Sequence, residues 1–249
     1  MGRRSTYGDG VGAGARDEGR WLVVQRATIA RGLCEDAAAQ PTSLLLEQWA
    51  SMVLGWFWER RKRMGGRPLI DLLATSGEPV LRSIAEVGSA EAKLALVALG
   101  RIDRGALGLR ARQLEEQLNW PLPPRVDEVG TGRLVQAFHT SSAGDGEVVM
   151  LRSDGTGPRA HMVAVYIDAR HGWLAKHVAL VRSFDPLRPD TSEDAPWLSL
   201  KFRPADLAAM RLKVGQAIER TDAAVNPPVD ESFSRYRGIA LARLSPLDN

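Results

Sequence analysis

The chain has one cysteine, three tyrosines, five lysines among 33 basic residues, and no long apolar run. A single thiol, Cys34, excludes an internal disulfide and fits a reducing cytoplasm. Cys34 lies in an apolar helical pattern, where a small buried hydrophobe is expected rather than a reactive nucleophile. No apolar run reaches the ~18 residues that cross a bilayer. Arg3 and Arg4 are followed by glycine and polar residues, not by the apolar core of a secretory signal. No membrane partner is therefore expected.

The shortage of lysine beside abundant arginine, alanine and glycine points to a GC-rich genome more than to selection for phosphate contacts. The net charge is only +3, and the pI of 9.3 is high because arginine does not titrate in the usual range. A dedicated nucleic-acid binder would concentrate its charge more strongly. Templates that name a reaction are missing as well. There is no phosphate loop, no dinucleotide fingerprint after a strand and no nucleophile elbow. No cofactor is implied.

What the chain does have is a division into two halves. Residues 1–19 hold six glycines without periodicity and read as a disordered tail. Residues 20–120 read as a helical domain. Its most apolar helix runs from Pro41 to about Arg63, with Leu45, Trp49, Met52, Val53, Trp56 and Phe57 at helical spacing. That spacing predicts Trp49, Met52, Val53 and Trp56 buried against later helices. Trp58 falls off the stripe and becomes a candidate partner-binding residue. Short helices follow over 68–74, 78–87, from Ser89, and over 105–119. Residues 121–130, with three prolines, read as a semi-rigid linker.

Residues 131–249 carry the β pattern. Strands are expected over 134–139, 147–152, 160–168 and 173–181, with a fifth near 198–202 and helices over 205–220 and 231–244. The fold class is thus α+β: an N-terminal helical array, then an antiparallel β-meander packed with one or two helices. All four histidines, at 139, 161, 171 and 177, lie within this sheet region. Pairing Asp168 with Trp173 would set Ala164 opposite His177 and give one aliphatic and one Ala-rich face. The aliphatic face is expected to be core, with His161 as its hydrogen-bonded histidine. The 205–220 helix is expected to cover the Ala-rich face.

Trp49-Ala50-Ser51, Leu54-Gly55-Trp56, Pro123-Pro124 and the run from His161 to Lys176 resemble a family of uncharacterised proteins from high-GC actinobacteria. The resemblance implies no activity. Such proteins place an acid after the lysine, where this chain has His177.

Three functions follow from these patterns. The preferred one is a non-catalytic bacterial interaction protein, an accessory or regulatory component whose partner is another protein. A homo-oligomer also fits. The second is a nucleic-acid-associated protein using the basic cluster Arg60, Arg61, Arg63 and Arg67, although cations there also complement a helix C-terminus. The third is a hydrolase-like enzyme with His177, Tyr166 and Asp168 as its acid–base candidates. No metal site is expected, since no sheet face gathers the ligands zinc needs.

Overall fold

The computed structural model of the protein describes residues 11–63, 77–142, 146–155, 160–182 and 200–245. Helices α1 (Val11–Ala38), α2 (Ser43–Arg63), α3 (Glu78–Val87), α4 (Ala90–Ile102) and α5 (Ala106–Glu115) come first. A 3-10 turn over Pro124–Glu128 leads into strands β1 (Leu134–Ser142), β2 (Gly146–Ser153), β3 (Met162–Asp168) and β4 (Leu174–Val181). Strand β5 (Arg203–Ala205) and helices α6 (Leu207–Ala223) and α7 (Glu231–Leu244) close the described chain. The class is α+β, but the helices precede the sheet only in part. Among the described residues, no helix is long and apolar enough to cross a membrane.

Local chemistry explains the ends of these elements. Ser89 caps α4 by accepting from the Ala92 N–H at 3.2 Å. Asp206 and Asp230 do the same for α6 and α7, accepting from Ala209 and Phe233. Helix α1 begins at Val11, inside the stretch whose glycines suggested a tail. Its packed turns hold Ala30, Cys34 and Ala37 in the core, and a helix extends from packed turns at one hydrogen bond per residue. The helix expected over 68–74 lies outside the described residues.

The sheet order is β4-β3-β2-β1-β5, antiparallel throughout. The fifth strand is Arg203–Ala205, just after the expected 198–202, of which residues 198 and 199 lie outside the described residues. It pairs with β1 as an edge strand, the position where Pro204 is tolerated. The β3–β4 register also differs from expectation. Asp168 faces Leu174, and Tyr166 faces His177. The turn is one residue longer than expected because Gly172 and Trp173 both take left-handed backbone conformations, with φ of 80° and 63°. A bulge then slips the register again before His177. Two single slips restore the face alternation from His177 onward, while beside the turn Leu174 and Ala175 exchange faces, and Ala175, now on the aliphatic one, is fully buried.

That aliphatic face is core, as expected, with Val149, Val163, Val165, Ile167 and Val178 buried. However, α6 covers this face and not the Ala-rich one: Val214, Ala217 and Ile218 pack on it together with Phe233 and Ile239 of α7. Burying branched side chains removes more apolar area from water than burying alanines. The Ala-rich face forms its own cluster with Met150, Met162, Phe138 and Phe202.

A second core joins α1 to α5, and the proline-rich connector is built into it through Val126 and Val129. Helix α2 belongs to both halves. Leu46, Trp49, Ala50, Val53 and Phe57 face the helical core, while Trp58 faces the sheet core. Its buried surface is therefore rotated from the expected stripe. Met52 and Trp56 point outward, at 44% and 36% exposure, and Trp58 is 5% exposed.

Candidate functional site

The four histidines do not converge. Each meets its own charged group. His139 Nε2 lies 2.5 Å from Glu147 Oε2, and Glu147 also pairs with Lys213. His171 Nδ1 lies 2.8 Å from Asp168, whose other oxygen accepts from the Arg170 N–H at 2.9 Å. His161, buried as expected, accepts from Arg243 Nε at 3.2 Å. Among the described residues, no group of three or more His, Cys, Asp or Glu side chains is arranged to hold a metal ion.

His177 comes closest to a catalytic arrangement. Its Nδ1 sits 2.6 Å from Asp230 Oδ2 and 2.8 Å from Ser232 Oγ. A nucleophilic triad needs the acid on one ring nitrogen and the hydroxyl on the other, so that the ring can relay a proton. Here both meet the same nitrogen. Ser232 also donates to Asp230 at 2.5 Å, and Asp230 caps α7. The arrangement is a reinforced helix cap. Tyr166 is the cross-strand partner of His177, but Asp168 is engaged at the hairpin turn with His171 and Lys176. The three acid–base candidates are thus split between two networks.

Burial raises the pKa of Asp230, but the hydrogen bonds from His177 and Ser232 and the His177 charge outweigh it, and the carboxyl titrates below its ordinary value. Asp168 behaves alike: His171, the Arg170 N–H and Lys176 overcome the effect of burial. Burial, then the charges of Glu91 and Glu35, pushes the Cys34 thiol up to about 11. It remains a protonated thiol at neutral pH, consistent with a core role.

The basic cluster is divided too. Arg60 lies over the Trp56 ring, 5.1 Å from its centroid. Lys62 donates to the carbonyls of Asp222 and Ala224, tying the end of α2 to the α6–α7 connector. Arg61 and Arg63 fall in the last turn of α2, and Arg67 lies outside the described residues. Trp58, the expected partner-binding residue, donates its indole N–H to Asp222 at 2.8 Å and packs against Phe233. It is a core residue because the neighbouring α7 face, which no local pattern in α2 announces, covers it.

Among the described residues, two concave features bear on function. The larger is a groove of about 540 Å³ between the outward face of α2 and the α6–α7 connector. Met52 and Trp56 of α2 and Pro227 and Val229 of the connector line it, together with the charged Glu59, Glu231 and Arg235. Trp58, held by its bond to Asp222, also lines it. No family model, curated protein or solved structure matches the chain, so the reading rests on this geometry.

The smaller feature is a polar chamber of about 170 Å³ where the two halves meet. Glu47 of α2, His161 and Arg243 of α7 converge there. Glu47 and Arg243 form an ion pair with both side chains 2% exposed, and Glu47 also accepts from the Gly130 N–H at 2.6 Å. Sequence reasoning missed this pair. The available signals were a glutamate between Leu46 and Trp49 and an arginine closing the apolar run Ile239-Ala240-Leu241-Ala242.

Proposed function

We propose that the protein acts by binding another protein chain, as an accessory component without catalytic activity of its own, in the cytoplasm. The groove beside α2 is the surface, and its occupant is an apolar side chain of the partner seated between Trp56 and Val229. One observation carries this reading. Trp56 and Met52, large apolar residues on a helix with two buried sides, are left outward on the wall of a 540 Å³ groove. Aromatic anchors in pockets with a charged rim are the usual energetic centres of interfaces. The division of the histidine networks supports a binding role over hydrolysis, and the single buried thiol supports a reducing compartment.

The test is a photo-cross-linking amino acid placed at position 52 in the full chain, with position 212 on the exposed side of α6 as control. Expected is a discrete adduct with one other protein from position 52, absent from position 212 and lost on Trp56→Glu. An adduct only with a second copy would make the groove a homo-oligomer contact and overturn the accessory role. A nuclease-sensitive adduct would favour the nucleic-acid reading through Arg60, Arg61, Arg63 and Arg67. An adduct pattern unchanged by Trp56→Glu would remove the groove from consideration.

A further inference from the structure

Among the described residues, one sulfur stands well out at the surface. The sulfur-bearing side chains there are Cys34, Met52, Met150, Met162 and Met210, while Met1 and Met64 lie outside the described residues. Met150 and Met162 are buried in the cluster on the Ala-rich face. Met210 packs against the sheet core. Cys34, as a thiol the usual first target of a peroxide, is buried in the helical core. Burial, followed by the charges of Glu91 and Glu35, keeps it protonated, and the protonated thiol is not the nucleophilic form. Met52 differs from all of these. It is 44% exposed, belongs to no core cluster of the described residues, and lines the groove beside α2.

Met52 also precedes Trp56 by one helical turn, so the two side chains share one face of α2 and the same groove. An unbranched thioether offers a soft, adaptable apolar contact, which is how methionine serves at binding surfaces. It also brings a chemistry that leucine lacks. One added oxygen turns the side chain into a polar sulfoxide, and reductases reverse the change. In a core that change disrupts packing. At Met52 it alters the groove and leaves the clusters that hold the fold untouched. Susceptibility to oxidation follows exposure. The same placement therefore makes Met52 the most accessible of these sulfurs and the one whose oxidation the fold tolerates.

We propose that Met52 is an oxidation site through which peroxide lowers the groove's affinity for apolar groups, an inference that rests on the binding role given to the groove. Hydrogen peroxide transfers one oxygen atom to the Met52 sulfur. The O–O bond breaks, the sulfur gives up two electrons, and water leaves. Two thiols reverse the step: the oxygen departs as water and the thiols become a disulfide. The test treats the purified full chain with dilute hydrogen peroxide and maps its peptides by mass. Expected is one added oxygen at Met52, gained at least about tenfold faster than at Met150 or Met162, with the urea unfolding midpoint unchanged. Nile red, a neutral apolar dye, reports on the groove. Its binding should be lost in Trp56→Glu and should weaken about fivefold or more when Met52 is oxidised. Methionine sulfoxide reductases for both epimers, with dithiothreitol, should restore it. Met52→Leu should keep the dye through the same peroxide treatment. Oxidation of Met52 no faster than of the buried methionines, dye binding that survives full conversion, an equal loss in Met52→Leu, or unfolding of the oxidised protein would each overturn the switch and leave the binding role standing. Dye binding indifferent to Trp56→Glu in the unoxidised protein would remove the groove as an apolar site, and the switch with it.

Discussion

A Cβ on Gly55 would stand 2.0 Å from the carbonyl oxygen of Ser234, so helices α2 and α7 cross with their backbones in contact. Ser51, one turn earlier, reinforces the crossing. Its hydroxyl donates to the Arg235 carbonyl at 2.7 Å and accepts from the Ile239 N–H at 3.2 Å, bridging one rung of the α7 ladder. This contact unites the helical array with the sheet, because α7 covers the sheet's aliphatic face.

Gly55→Ala should therefore destabilise the whole fold. Overpacking against side chains typically costs about 1–3 kcal/mol, and a backbone carbonyl has less room to yield, so the upper end is expected. Urea denaturation followed by circular dichroism would measure it. A change under about 0.5 kcal/mol, the usual surface value, would mean the helices cross less closely than described.

The two tryptophans of α2 should separate in the same assay. Trp58→Ala removes a buried ring and strands Asp222 without its indole donor, for an expected loss of about 3–5 kcal/mol. Trp56→Ala touches a ring over one third exposed and should cost about 1 kcal/mol. Equal losses would contradict the rotation of α2 and with it the outward placement of Trp56.

That rotation shows where legibility in the sequence ends. The existence and type of most elements follow from local spacing, and Ser89 and the span 231–244 were readable to the residue. Which side of α2 is buried depends on α7, about 180 residues later, because the helix is covered on two sides. The β3–β4 register was out of reach because it turns on Trp173 adopting a left-handed conformation, uncommon for a bulky residue. The candidate sites were less legible still. Asp230 lies 53 residues from His177, and Arg243 lies 196 from Glu47. A charged residue inside an apolar helical run was the only local sign.

Two of the carboxyls with lowered pKa, Asp168 and Asp230, give the stability a defined acid limb. Asp168 and Asp230 titrate in the fold below their ordinary value of 3.8. Each contributes stability that is fully present above that value and is lost as pH falls through the lowered one. Melting temperature recorded from about pH 2 to 6 should fall on the acid side, below about pH 4. Asp168→Asn should flatten that limb by removing one of the two groups, while lowering stability at neutral pH through loss of the His171 and Lys176 pairings. An acid limb identical to wild type would show that Asp168 has no differential interaction in the fold.

The Glu47–Arg243 pair should behave as a unit. Both partners are almost fully buried, so removing one leaves a charge in the interior without its counter-ion. Glu47→Leu or Arg243→Met alone should cost about 3–5 kcal/mol. The double change Glu47→Leu with Arg243→Met replaces the pair by apolar groups and frees His161 from its guanidinium donor. It should recover most of the loss, since apolar replacement of a buried pair is often neutral. A double-mutant cycle by urea denaturation should therefore return a coupling energy of about 2 kcal/mol or more. Additive losses would place the two residues apart.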